Sequence, residues 1–158
     1  PGERSESIHL ETWYQGLFEL AEDEPFGRGF WQQLIEVKTA VNKELENQRN
    51  AGVVKSGLAT EATLYCDAEL KALLERLGDE LRFVLITSGA QVDLLENAQD
   101  AVETELANLK LKVSVSEHAK CPRCWHLSED VGSHAEHPEL CGRCVDNVVG
   151  DGEQRSHA

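Results

Sequence analysis

The stretch KCPRCWHLSEDVGSHAEHPELCGRC, Lys120–Cys144, holds four of the chain's five cysteines in two Cys-x-x-Cys pairs. Cys121, Cys124, Cys141 and Cys144 follow the spacing C-x2-C-x16-C-x2-C, which is that of four-cysteine zinc sites. Geometry explains the spacing. Two cysteines three apart on a tight turn can aim both sulfurs at one ion, and a second such turn completes a tetrahedron. Pro122 pre-sets φ in the first turn, and Gly142 allows close backbone approach in the second. The residues between the pairs are rich in Ser, Glu and His and too polar to form a core, so a bound metal would supply the folding free energy that apolar burial cannot. Four thiolates close the coordination shell and leave no position for a catalytic water. The zinc expected here, one per chain, is therefore structural.

Other uses of the cysteines fit less well. The count is odd and the opening PGERSES has neither the basic start nor the apolar stretch of a secretory signal, which disfavours a disulfide framework. A thioredoxin-type motif would need one pair at a helix start in a βαβ unit. Iron accepts the same four thiolates and stays open as an alternative. His118, His126, His134 and His137 read as surface or packing residues, and Cys66, on an apolar alternation, reads as a small buried hydrophobe. Arg123 and Arg143 hold equivalent third positions in the two turns, and Trp125 directly follows Cys124. Two guanidiniums beside an exposed indole suit single-stranded RNA, offering charge for phosphate and a flat face for a base. In the alternative reading, Trp125 covers a tiny core and the arginines offset the thiolate charge.

Outward from the cysteines, the chain divides by pattern. Residues 1–25 show no sustained period and read as an extended connection with an acidic run from Glu19 to Glu24 and apolar anchors Ile8, Leu10, Trp13 and Leu17. From Phe26 to Ala51, the residues Phe30, Leu34, Val37, Val41 and Leu45 recur at steps of three and four, the face of a long amphipathic helix stopped by Gly52. Ala62, Leu64 and Cys66 alternate with Thr63 and Tyr65 as in a half-buried strand, and Asp67 can cap a helix carrying Leu70, Leu73, Leu74 and Leu77 up to Gly78. The apolar run Phe83–Ile86 predicts a central strand, residues 87–105 a loop, and the alternation of Leu109, Leu111, Val113 and Val115 another strand. The fold class is α+β, organised as a terminal helical part over 1–52, a small α+β domain over 53–117, and a metal finger with its tail over 118–158.

The formal net charge is −14. Residues 1–105 carry nine Lys or Arg against twenty-one Asp or Glu, whereas residues 106–158 carry six against eight. The acid sits in front, so any nucleic-acid contact must be local to the finger. No run of eighteen apolar residues exists, so no membrane span is expected. Met is absent even at position 1, as in a piece of a longer polypeptide.

KCPRCWH (120–126) and AEHPELCGRCVDNVVGDGE (135–153) closely resemble the C-terminal zinc finger of bacterial isoleucyl-tRNA synthetases, a finger type shared with formamidopyrimidine-DNA glycosylases. PGERSESIHLETWYQGL (1–17) resembles that family's connection between the last two helices of the anticodon-binding bundle, and FWQQLIEVKTAVNKELENQRNAG (30–52) its final long helix. LGDELRFVLITSGA (77–90) resembles the small domain between bundle and finger, while VVKSGLATEA (53–62) departs from the family's usual Gly-Ser-Ser-Leu-Glu-Ala type of turn. The resemblance implies a terminal region of a cytoplasmic, monomeric ligase that grips the anticodon arm of the isoleucine tRNA and adjoins the remainder of the synthetase. The family's nucleotide-binding signatures, His-Ile-Gly-His and Lys-Met-Ser-Lys-Ser, do not occur here, so ATP would belong to the parent's catalytic domain and this region should bind rather than catalyse. Candidate RNA contacts are Arg123, Trp125 and Arg143, with Lys120 and Arg155 as phosphate neighbours and Lys38, Asn42 and Arg49 on the long helix. Two other readings stay open at this point: a DNA-binding finger of the glycosylase type, and a zinc-stapled protein-interaction module.

Overall fold

Phe30, Leu34, Val37, Val41 and Leu45 form the buried face of helix α1, Arg28–Asn50, as their spacing predicts. The computed structural model describes residues 6–17, 19–21 and 24–157. Residues 1–5 of the expected connection and 22–23 of its acidic run lie outside them. Helix α1 stops where the sequence places the stop: Gly52 takes φ 73°, the left-handed conformation open to glycine, and its N–H donates to the Arg49 carbonyl at 3.0 Å.

The sheet is built around β1, Thr60–Cys66. It pairs in parallel with β2, Gly89–Leu94, and antiparallel with β4, Leu109–Val115, placing Leu64 opposite Val92 on one side and Leu111 on the other. A short β3, Val102–Glu103, completes the order β2-β1-β4-β3. Parallel neighbours need a crossover, and this one consists of α2, Ala68–Leu74, a 3-10 stretch Glu75–Glu80, and α3, Leu81–Leu85. Asp67 caps α2 by accepting the Leu70 N–H at 2.8 Å. Asp67→Ala is expected to cost about 1 kcal/mol, read as a lowered urea midpoint with unchanged slope.

One core serves helix and sheet together. Leu34, Val37 and Val41 of α1 share it with Leu64 and Cys66 of β1, Leu74 and Leu85 of the crossover, and Leu109 and Leu111 of β4. Each such leucine removed from water contributes about 1.5–3 kcal/mol. The Cys66 thiol is fully buried, and burial pushes it up to about 12, in keeping with its reading as a small hydrophobe.

Three expectations change. Phe83–Ile86 lies not in a strand but in α3 and its cap, with Ile86 at φ 59° closing the helix. Leu81 and Leu85 are buried one step of four apart, so the period of this stretch begins before Phe83 and is helical; Leu77, also buried, lies on the far side of a kink at Gly78, φ 51°. The supposed loop 87–105 contains β2 and β3. Both are edge strands held mainly by backbone pairing, and β2 is half-buried along nearly its whole length, without the alternation that would mark it. Ile8, Leu10, Trp13 and Leu17 do not anchor on this core; all four are exposed. Among the described residues, no helix is long and apolar enough to cross a membrane.

Candidate metal centre and nucleic-acid interface

The finger begins in a two-stranded ribbon, β5 (Ala119–Lys120) against β6 (Leu127–Ser128), with Lys120 opposite Leu127. Its tip is the first cysteine turn. The Cys121 N–H donates to the His126 carbonyl and the Trp125 N–H to the Cys121 carbonyl, each at 2.9 Å. Closing the turn puts Trp125 at φ 68°, a conformation that costs energy for any residue with a side chain. The second turn opens helix α4, Gly142–Val149, with Cys141 as N-cap. The N–H groups of Cys144 and Val145 return to the Cys141 carbonyl at 2.9 and 3.0 Å.

The two turns bring the four sulfurs within 4.8 Å of one another, and Cys124 Sγ lies 3.6 Å from Cys141 Sγ. Zinc–sulfur bonds of about 2.3 Å arranged tetrahedrally require sulfur pairs about 3.8 Å apart, so the cluster fits that ion. All five cysteines are free thiols. Burial opposes ionisation of Cys121, but backbone N–H donors of Cys124, Cys141 and Arg123 outweigh it and draw the thiol down to about 6. Burial pushes Cys141 up to about 12. An ion of charge two among the four sulfurs would favour the thiolate form of each.

Asp130 braces the second turn. Its carboxylate accepts the Gly142 N–H at 2.7 Å and the Ser128 hydroxyl at 2.5 Å. Burial opposes its charge, yet these bonds hold it below the ordinary carboxylate range. A Cβ at position 142 would sit 2.7 Å from that carboxylate and 3.2 Å from His134 Nε2, so the expected close approach at Gly142 is met by a side chain tying β6 to α4.

The candidate RNA-contact residues separate into groups. Lys120 and Trp125 come together, with Lys120 Nζ 5.1 Å from the centre of an indole that is 61% exposed. Arg123, exposed, reaches across the cluster to donate to Cys144 Sγ at 3.5 Å. Arg143 lies beside the Cys124 sulfur and also reaches the tail. Its Nη1 contacts the Glu153 carboxylate at 3.2 and 3.4 Å, and Arg155 contacts the same carboxylate at 3.1 and 3.2 Å. Burial disfavours charge on Arg143, but the Cys124 sulfur and Glu153 outweigh it and raise its pKa. On α1, Lys38 is half-buried and Asn42 exposed, while exposed Arg49 pairs with Glu46. His118 lies 3.5 Å from Glu61, and half-buried His126 meets Phe83 edge-on at 5.7 Å. Phe83, Asp130 and Glu153 are not among the candidate site residues read from the sequence. Only Asp130 had a local signal there, as an Asx-type residue two after Ser128 and before a Gly.

Two cysteine turns, a β-ribbon and a short helix around one tetrahedral site define a four-cysteine zinc finger. Residues 120–147 match the family described as "Zinc finger found in FPG and IleRS". Over its whole length the chain is homologous to the C-terminal region of bacterial isoleucine–tRNA ligase. It is 58% identical over 159 residues to the isoleucine–tRNA ligase of Stutzerimonas stutzeri, 59% over 159 to that of Pseudomonas paraeruginosa, and 56% over 162 to that of Alkalilimnicola ehrlichii. In each case all of this chain is covered and 17% of the relative. The chain thus spans about a sixth of the length of the curated relatives it matches.

Proposed function

We propose that this chain is a tRNA-binding region of an isoleucine–tRNA ligase, in which a structural zinc held by Cys121, Cys124, Cys141 and Cys144 orders a face that meets the anticodon arm of the isoleucine tRNA. The observation that carries the reading is the exposed Trp125 ring with the Lys120 ammonium over it, in a chain homologous throughout to that ligase. Trp125 would take a base by stacking, while Lys120 and Arg123 would meet phosphate. A zinc with four thiolates carries a formal charge of about −2; the two arginines beside it offset that charge and let an anionic RNA approach. We place ATP and the chemistry of aminoacylation in the rest of the ligase, and assign 1–52 to the end of its anticodon-binding bundle, 53–117 to a small α+β domain, and 118–158 to the finger and tail. The exposed Ile8, Leu10, Trp13 and Leu17 then present an apolar surface for the remainder of the synthetase.

The glycosylase reading rests on the finger alone, which is common to both families. The match over the preceding hundred residues favours the ligase.

The test is a titration of the zinc-loaded chain with the anticodon arm of isoleucine tRNA at several salt concentrations. Trp125→Ala should weaken binding by about 1–3 kcal/mol without changing the salt slope, whereas Lys120→Ala should lower that slope by about 1. Affinity unchanged in both variants would sink the assignment of this face.

A further inference from the structure

Finger and body have separate cores. Cys121, Leu140, Cys141 and Cys144 form one, and no residue of it belongs to the cluster around α1 and the sheet. What joins them besides the connection at residues 116–119 is polar and aromatic. The Leu127 N–H donates to Ser88 Oγ at 2.7 Å, and His126 meets Phe83. Further contacts come from Arg143 of α4, over the Phe83 ring, and from the segment after α4.

That segment turns back on itself. Gly150 and Gly152 both donate to the Asp146 carbonyl, at 3.0 and 3.1 Å, with Gly152 at φ 88°. The reversal lays Glu153 against Arg143 of the finger and Arg155 of the tail, where its side chain is only 24% exposed. Burial opposes the charge of Glu153, but the arginines outweigh it and hold its carboxyl below the ordinary range. Both guanidiniums lie over the ring of Phe83, a residue of α3 in the body, at 5.1 Å for Arg143 and 4.0 Å for Arg155. Beyond them, the N–H groups of Ser156 and His157 donate to the two oxygens of Glu80, each at 2.6 Å. The His157 ring stacks on Phe26 with centroids 4.1 Å apart and planes at 23°, and Phe26 packs edge-on against Phe30 at the start of α1. Within a few residues the tail touches the finger, α3, the 3-10 stretch and the entry to α1.

We propose that residues 150–157 form a clasp that fixes the orientation of the finger on the body, with Arg143, Glu153 and Arg155 acting as positioning residues and Phe83 and Glu80 as its anchor points. Without the tail, the finger would be held to the body by residues 116–119, the Leu127–Ser88 hydrogen bond and the contacts of His126 and Arg143 with Phe83, which cluster on one side and leave it freer to swing. The clasp adds an attachment that runs on to Glu80 and Phe26. Cation–π contacts and a carboxylate taking two N–H donors are directional, so they select one orientation where a greasy interface would allow sliding. Resting on the reading above, this assigns Arg143 and Arg155 an indirect part in RNA binding: they hold the Lys120, Arg123 and Trp125 face at a constant angle to α1.

The experiment measures 15N relaxation in three zinc-loaded chains: the parent, a chain ending at Gly152, and the full chain with Arg155→Ala. In the parent, finger and body amides should report one rotational correlation time. In both variants the finger should report a shorter one, with zinc content and finger chemical shifts near Cys121 and Cys124 unchanged. A single shared correlation time in both variants would overturn the clasp. The same chains are titrated with anticodon-arm RNA, where about fivefold weaker binding is expected from the orientational freedom to be frozen out again. A loosened finger with unaltered RNA affinity would support the clasp and count instead against the RNA face.

Discussion

Cys121→Ser is expected to abolish zinc binding and unfold residues 118–149, while the sheet body keeps its structure. Structural zinc in finger peptides carries an apparent binding free energy of about 10–16 kcal/mol at pH 7. Nothing in the finger replaces it. Apart from its cysteines, the finger buries Leu140 fully and Val131 and Val145 in part, roughly the transfer free energy of two or three side chains, about 3–6 kcal/mol before any ordering cost. A serine hydroxyl is a poor zinc ligand, and the three remaining thiols, buried Cys141 and Cys144 and half-buried Cys124, would leave the tetrahedron incomplete. The body should survive because its core, from Phe30 of α1 to Val113 of β4, contains no finger residue. Metal analysis and an amide correlation spectrum check both halves of the statement. Finger amides that stay dispersed in the metal-free variant would mean that the ribbon and α4 fold on polar contacts alone.

Leu34→Ala is expected to lower the stability of the body by about 3 kcal/mol, the middle of the range for truncating a fully buried leucine. Leu34 is inaccessible to solvent on α1 and belongs to the same cluster as Leu64 and Leu111 of the sheet. The informative point is which elements respond. If α1 is integral to the body, hydrogen exchange should accelerate by the same factor at the protected amides of α1, β1 and β4. Acceleration confined to α1 would show a helix merely resting on an independently stable sheet. Trp31, half-buried beside Phe30 with ring centroids 5.3 Å apart, gives a local optical probe of the same loss.

The sequence spoke clearly wherever one physical cause controlled a run of residues. The three- and four-residue recurrence from Phe30 to Leu45 produced α1 because a single face of it is buried. The alternation from Leu109 to Val115 produced β4, whose inward positions Leu109, Leu111 and Val113 face the helices. Asp67 marked a helix start through its own side chain, and the cysteine spacing marked the cluster because coordination geometry leaves little choice. The failures share a different cause. Phe83–Ile86 is apolar enough to pass for a strand, and only the burial of Leu81 four residues before Leu85 shows its helical step. Strand β2 takes its place from pairing with β1, a backbone interaction that leaves no mark on side-chain type. The environment of Arg143 depends on Glu153 and Phe83, the latter sixty residues distant in sequence. Spacing within CGRC could show that Arg143 stands beside the metal, but not which way its guanidinium turns.

The position of β1 has a consequence for how the chain is made. Its two neighbours are both downstream: β2 begins at Gly89 and β4 at Leu109. A ribosome adding about 5–20 residues each second leaves β1 without an antiparallel partner for a few seconds after it emerges. Until β2 follows, both of its backbone edges are unpaired, and until β4 follows one still is, while α1 is already complete and carries the complementary apolar stripe. Helix α1 is therefore placed to act as a first cover for the nascent strand. The zinc-binding turns and the tail behind them emerge after all the strands of the body, and so close onto a sheet whose parts are already present.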